Sequence, residues 1–185
     1  MERKDRGRYA FTAKRLCYTA VMVVVVCLCA WISVPIGEIP VTLQYFGVCL
    51  AVGLLGWKLG TLAVLAYVLL GAIGVPVFAG FTGGFGKLLA PTGGYILALP
   101  VSALVTGVII EKRRTSFGAL VVGTTVGLLV CYAFGCIWFA VFIATEKVGF
   151  ISALFICVLP FLPFDMLKIF FASWLVKRLY PKLKI

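Results

Sequence analysis

Long apolar runs separated by short polar or glycine-rich breaks dominate this chain. A transmembrane helix needs about 20 apolar residues, and the runs and their breaks together predict six spans. They cover residues 15–34, 43–57, 59–75, 92–110, 117–144 and 149–176. The second and third spans are short and are separated only by Trp57 and Lys58, which predicts a tight helical hairpin. The pattern therefore predicts an all-α integral membrane protein with six transmembrane helices.

The composition supports this fold class and excludes an ordinary soluble domain. Of the 185 residues, 63% are hydrophobic, and the mean hydropathy is +1.16. We expect a single membrane domain, because one six-helix bundle accounts for nearly the whole length. It divides into a basic N-terminal segment (1–14), the bundle (15–176) and a basic tail (177–185).

The basic residues are distributed unevenly between the two sides of the predicted bundle. An even number of spans places both termini on the same side as the 57–58 and 111–116 loops, and that side carries 14 of the 17 lysines and arginines. Cytoplasmic loops are enriched in these residues, so we expect both termini in the cytoplasm. A basic face against the lipid bilayer explains the net charge of +11, and no nucleic-acid partner is needed.

The segment 71–95 contains eight glycines and two prolines, Pro76 and Pro91. No continuous helix tolerates that density, so we expect a loop or re-entrant segment between the third and fourth helices. The segment is also strongly apolar, which predicts that it lies against protein or lipid. Because the spans place it on the external side, the sequence predicts an external lid.

Asp165 and Lys168 are the two charged residues of the last predicted span. A charge in the bilayer costs at least ~2.5–3.5 kcal/mol, so such a pair indicates a functional site. The i, i+3 spacing places both side chains on one helix face. The alternative is an ion pair that only neutralises itself, although two apolar residues would fill a purely structural position at lower cost.

A row of small residues, Gly123, Gly127, Cys131 and Gly135, repeats every four positions along the fifth span. Such a face lets two helices approach closely. We expect it to serve packing within the bundle rather than a dimer interface.

Several other chemistries lack the residues that they need. Histidine is absent and the seven cysteines form no CxxC pair, so we expect no metal site. The stretch Phe85-Gly86-Lys87 fails as a P-loop, because Phe81 and Leu88 occupy positions that require glycine and Ser or Thr. An intramembrane enzyme would need a nucleophile or a metal cluster, and an ion channel a ring of charges. Both remain weaker alternatives to a solute-binding transport subunit, for which no catalytic residue is predicted.

Four motifs together resemble the BioY family, the biotin-specific S components of energy-coupling-factor (ECF) transporters. They are IPVTLQ at 39–44, LGAIGVPVF at 70–78, PTGGY at 91–95, and PFLPFD at 160–165 with Lys168. The resemblance implies a multi-pass protein of the bacterial plasma membrane that is not an enzyme and has no cofactor. It would capture biotin from outside with high affinity and deliver it inward. A transmembrane coupling subunit would join it to two ATPase subunits that hydrolyse ATP. A solitary or oligomeric mode without the ATPases stays open.

The resemblance also implies how biotin would be recognised. Its fused ureido ring offers two N–H donors and one carbonyl acceptor, which a carboxylate beside an ammonium complements, so Asp165 and Lys168 would bind that ring. Its carboxylate would point toward the lid. The candidate partners there are the backbone amides of Thr92, Gly93 and Gly94 and the side chains of Thr82, Tyr95 and Lys87. The opposite orientation, with Lys168 binding the carboxylate, stays open. The predicted substrate-binding residues are Gln44, Tyr45, Phe78, Phe81, Thr82, Gly83, Gly84, Thr92, Gly93, Gly94, Tyr95, Asp165 and Lys168.

Overall fold

A computed structural model describes residues 13–34, 40–143, 158 and 161–183, and this part of the chain is mostly helical. Two short strands and two 3₁₀ turns complete the regular structure of these residues. The helices are α1 (Ala13–Trp31), α2 (Gln44–Ala72), α3 (Phe85–Leu88), α4 (Gly93–Ile110), α5 (Phe117–Ile143) and α6 (Leu162–Leu179). The strands are β1 (Ser33–Val34) and β2 (Val41–Thr42), and the 3₁₀ turns are Ala79–Phe81 and Tyr180–Lys182.

Within the described residues, four helices are long and apolar enough to cross a membrane: α1, α2, α4 and α5. They lie where the first five apolar runs predict them. The last predicted span begins at 149, outside the described residues, and its later part forms α6. The expectation of a purely helical chain needs one correction: residues 33–34, assigned to the first span, form β1 and pair antiparallel with β2.

Helix α2 is interrupted at Gly56, whose φ of 85° and ψ of 179° are not helical. A Cβ added to Gly60 would lie 2.6 Å from the Cα of Val52. In a straight helix those residues would be about 12 Å apart, at 1.5 Å per residue. The chain therefore reverses direction at Gly56, and α2 is a helical hairpin whose turn lies one residue before the predicted break.

The hairpin occupies the centre of the described fold, because α2 contacts α1, α4 and α6. Small residues make these contacts close. A Cβ on Gly47 would lie 3.0 Å from the Cα of Val26 on α1, and one on Gly107 of α4 would lie 2.5 Å from the Cα of Trp57. Without a hydrophobic driving force between helices in lipid, such close van der Waals contact contributes much of the association energy.

The row of small residues on α5 faces α4. A Cβ on Gly123 would meet Ile110, and one on Gly127 would lie 3.0 Å from the carbonyl oxygen of Ser102. Larger residues in this row would push the two helices apart. The row therefore serves packing within the bundle, as predicted.

At the turn of the hairpin, the α4–α5 loop and the end of α6 meet. The guanidinium of Arg114 occupies the space where a Cβ of Gly56 would lie. Arg114 also pairs with Glu111, and its guanidinium carbon lies 5.5 Å from the centroid of the Tyr180 ring. One arginine thus connects three segments that are distant in the sequence.

Between α2 and α4, the glycine-rich segment contains a 3₁₀ turn, the one-turn helix α3 and a β-bridge that pairs Phe78 with Thr82. It is fixed to the end of α1. The indole Nε1 of Trp31 donates a hydrogen bond of 2.9 Å to the carbonyl oxygen of Pro76. The rings of Trp31 and Phe81 have centroids 5.0 Å apart. We refer to residues 73–92 as the glycine-rich loop.

Candidate binding site

A cavity of about 200 Å³ lies where the first turns of α2, α4 and α6 meet α5 and the glycine-rich loop. We refer to it as the central cavity. The N-termini of three helices approach it, so the helix dipoles contribute a positive potential there. It is lined by Pro40, Val41, Thr42, Gln44, Tyr45, Phe78, Ala79, Lys87, Thr92, Tyr95, Ile96, Leu99, Leu128, Cys131, Tyr132, Phe161, Asp165 and Lys168.

The charged pair lies at the start of α6. Pro163 is accommodated in the first turn of α6, where the missing N–H of proline leaves no helical hydrogen bond unmade. Asp165 also lies in the first turn, where the helix dipole favours a negative charge. Lys168 Nζ donates to Asp165 Oδ1 at 2.6 Å, and the two residues are only 9% and 7% exposed. The predicted pair is therefore buried, hydrogen-bonded and in contact with the central cavity.

Tyr132 on α5 completes the surroundings of the Asp165 carboxylate. The sequence interpretation missed this residue. The phenol of Tyr132 donates a hydrogen bond to Asp165 Oδ2, and its ring lines the cavity. Both carboxylate oxygens are thus engaged, one by each of two helices. A signal was present in the sequence: a tyrosine within an apolar span usually finds a partner for its hydroxyl, and Asp165 was a buried acceptor.

Tyr45 is fixed by a polar network that joins α2 to α4 and α5. Its hydroxyl donates to the carbonyl oxygen of Thr124 at 2.9 Å and lies 3.2 Å from the Oγ of Ser102. Ser102 Oγ donates in turn to the carbonyl oxygen of Gly127 at 2.6 Å. The phenol of Tyr45 is therefore occupied by the scaffold, so the ring is the part of this side chain that is offered to the cavity.

Three further polar residues line the cavity: Lys87 and Thr92 in the glycine-rich loop, and Gln44 at the start of α2. The Nε2 of Gln44 is buried with no hydrogen-bond partner among the described residues. Phe78 forms an apolar wall. Its ring takes the space where a Cβ of Gly71 would lie and packs edge-on against Tyr67 at 5.6 Å.

Seven of the predicted residues line the central cavity: Gln44, Tyr45, Phe78, Thr92, Tyr95, Asp165 and Lys168. The other six, Phe81, Thr82, Gly83, Gly84, Gly93 and Gly94, are not among its lining residues. Phe81 is 64% exposed and packs on Trp31 instead. The hydroxyl of Thr82 donates to the carbonyl oxygen of Ala79 at 2.9 Å, within the loop.

The glycines that were predicted to offer free amides have a packing role. The N–H of Gly93 donates to the carbonyl oxygen of Ala90 at 2.8 Å, so it is not available to an anion. Added Cβ atoms on Gly93 and Gly94 would meet the backbone of Leu88 and the side chain of Trp138. These glycines are explained by close approach of the loop, α4 and α5.

The cavity therefore combines one polar wall of carboxylate, ammonium and phenol with aromatic and aliphatic surfaces. Such a site suits a small amphiphile that carries both donors and an acceptor. Within the described ranges, no group of three His, Cys, Asp or Glu residues could hold a metal ion.

The whole chain, residues 1–185, matches the sequence model of the BioY family. This chain belongs to the BioY family. It is 43% identical over 167 residues to the probable biotin transporter BioY of Pyrococcus horikoshii, covering 90% of this chain and 96% of that protein. It is 44% identical over 151 residues to the biotin transporter BioY of Thermotoga maritima, covering 81% and 86% of the two chains.

The fold of this BioY chain also matches a solved structure. The S-component for biotin from an ECF-type ABC transporter has a TM-score of 0.83 and 30% identity to it. The match covers 91% of this chain and 92% of the other. The BioY relationship thus extends over nearly the full length and includes every element that surrounds the central cavity.

Proposed function

We propose that this protein is the biotin-binding S component of an ECF transporter, which captures biotin outside the cell and delivers it inward. The observation that carries the proposal is the buried Asp165–Lys168 pair at an otherwise largely apolar cavity, in a chain of the BioY family. The relatives in Pyrococcus horikoshii and Thermotoga maritima are named as biotin transporters, which supports transport rather than enzymatic turnover.

Biotin binds in the central cavity with its ureido ring at Asp165 and Lys168. The carboxylate accepts from the ring N–H groups and the ammonium donates to the ring carbonyl. The bicyclic ring lies on Tyr45 and Phe78, and the carboxylate of biotin extends to the polar region near Lys87. Supporting this orientation, Gln44 also lines the cavity and offers an unpaired amide N–H to an acceptor such as that carboxylate.

The membrane arrangement belongs to the same proposal. Six helices cross the bilayer, with the glycine-rich loop outside and both termini in the cytoplasm. The asymmetry of the basic residues supports this orientation. Leu167, Phe170 and Trp174 on α6 are each about half exposed, as expected for side chains that face lipid. Asp165 and Lys168, by contrast, are buried on the opposite side of α6.

Energy comes from separate subunits in this proposal. The sequence contains no P-loop motif, so ATP hydrolysis belongs to two ATPase subunits that are joined to this chain by a transmembrane coupling subunit.

Isothermal titration calorimetry on the detergent-purified protein tests the proposal. We expect biotin to bind at a stoichiometry near one, and riboflavin and thiamine to produce no saturable heat under the same conditions. Binding of riboflavin without binding of biotin would overturn it.

A further inference from the structure

The Asp165 carboxylate is held from two different helices. Lys168, one turn along α6, donates to Oδ1 at 2.6 Å, and the phenol of Tyr132 on α5 donates to Oδ2. All three residues are at least nine-tenths buried and line the central cavity. The two donors therefore fix the carboxylate at both of its oxygens.

Fixing both oxygens determines the rotation of the carboxylate about its Cβ–Cγ bond. That torsion is intrinsically broad, and a single donor on Oδ1 would leave Oδ2 free to turn. A carboxylate has about four lone-pair sites. Two are used by Lys168 and Tyr132, so the remaining two determine from which directions a ligand N–H can be accepted.

We propose that Tyr132 is a positioning residue that sets the Asp165 carboxylate to receive the N–H groups of a cyclic urea. The inference rests on the proposed function, because it assigns to Tyr132 part of the recognition of the biotin ring. Tyr132 acts through Asp165: its phenol donates its single proton to that carboxylate, and the ligand bonds to the oxygens so oriented. Asp165 and Tyr132 together then determine the selectivity for a ring with unsubstituted N–H groups.

A purely structural role for Tyr132 predicts different behaviour. Its ring is buried and packs in the core cluster, and Tyr132→Phe retains that ring. The variant therefore removes the hydroxyl while most of the packing is kept. A positioning role changes the selectivity between ligands, whereas a packing role leaves that selectivity unchanged.

The first measurement is a double-mutant cycle on biotin affinity by calorimetry. A hydrogen bond to a charged group is worth about 1.5–3 kcal/mol, so Tyr132→Phe should weaken biotin binding about 10- to 150-fold. In an Asp165→Asn background the same substitution should change affinity less than about threefold, because the carboxylate that Tyr132 positions is absent. Equal losses in both backgrounds would overturn the inference.

The second measurement compares biotin with an analogue that is methylated at one ureido nitrogen. The parent should prefer biotin strongly, whereas Tyr132→Phe should lose most of its affinity for biotin and little for the analogue, so the ratio falls. A rescue variant, Tyr132→4-aminophenylalanine, keeps a donor on the same ring and should recover the ratio. If Tyr132→Phe does not fold, Tyr132→4-fluorophenylalanine takes its place, because it also keeps the ring and lacks the donor, and the ratio should fall in the same way. An unchanged ratio in Tyr132→Phe, or no recovery in the rescue variant, would overturn the inference.

Tyr67→Phe is the matched control. Tyr67 is fully buried, and its hydroxyl has no hydrogen-bond partner among the described residues. Removing that hydroxyl should leave biotin affinity and the selectivity ratio unchanged, and equal effects at Tyr67 and Tyr132 would contradict a specific role. If the parent itself fails to bind biotin, the proposed function fails. If the parent binds and Tyr132→Phe binds equally well, only the inference fails.

Discussion

At the scale of single residues, the charge of Asp165 carries the sharpest prediction. Asp165→Asn keeps the size of the side chain but leaves the buried Lys168 ammonium without its counter-ion. Losing one partner of a buried, hydrogen-bonded charge pair costs about 2–5 kcal/mol in binding. Biotin affinity should therefore fall about 30-fold to several-thousand-fold, as measured by calorimetry on the purified variant.

Ser173→Ala, on the same helix, provides the control. Ser173 is buried and its hydroxyl has no partner among the described residues, so biotin affinity should not change. Unaltered biotin binding by Asp165→Asn would show that Asp165 and Lys168 form a purely structural ion pair.

Residue-scale prediction from sequence succeeded where the signal was local. The i, i+3 spacing of Asp165 and Lys168 already placed them on one helix face, and the structure joins them by a hydrogen bond. Tyr132 was missed because it contacts Asp165 from a different helix, and the two residues are 33 positions apart in the sequence. The amide of Gly93 was predicted to be free for an anion, but it donates to Ala90. In a sequence, a glycine that leaves its N–H accessible cannot be distinguished from one that allows close packing.

At the scale of elements, the turn of the α2 hairpin depends on Gly56. Its φ of 85° and ψ of 179° lie in a region open essentially to glycine alone. The guanidinium of Arg114 also fills the space that a Cβ would need. Gly56→Ala should lower the free energy of unfolding by about 1–3 kcal/mol or more, which a lower midpoint of thermal unfolding in detergent would show.

Gly118→Ala is the corresponding control in α5. No atom lies within 4 Å of the position that its Cβ would take, and alanine favours a helix over glycine by about 1 kcal/mol. The control should therefore melt at the parental temperature or slightly above it. Equal midpoints for the Gly56 and Gly118 variants would show that the turn tolerates a side chain.

The helices themselves were predictable because a long apolar run in lipid must satisfy its backbone hydrogen bonds internally, which a helix does. The start of α4 at Gly93 and of α5 at Phe117 lies within one residue of the predicted positions. The short β1–β2 pair was not predicted, since two-residue strands carry no periodic signal. The turn at Gly56 was placed one residue late because Trp57-Lys58, the visible polar break, follows the glycine that makes the turn.

At the scale of the whole molecule, this chain should bind biotin without concentrating it. Its sequence has no P-loop, and Asp165 is the single acidic residue within the predicted spans. Asp165 is itself paired with Lys168, so the predicted spans contain no unpaired carboxylate that could couple uptake to an ion gradient. Vesicles that contain only this protein should therefore not accumulate radiolabelled biotin above the external concentration.

Vesicles that also contain an ECF coupling subunit, its ATPases and internal ATP should accumulate biotin in the same assay. Uphill uptake by the isolated protein would require an energy source within this chain and would contradict the proposed division of labour.

The attachment of Trp31 to Pro76 and Phe81 has a mechanical consequence. The glycine-rich loop contributes Phe78 and Lys87 to the central cavity, so the same loop that lines the cavity is joined to the last residue of α1. Any displacement of this loop away from α1 therefore requires breaking the indole hydrogen bond and separating the rings of Trp31 and Phe81.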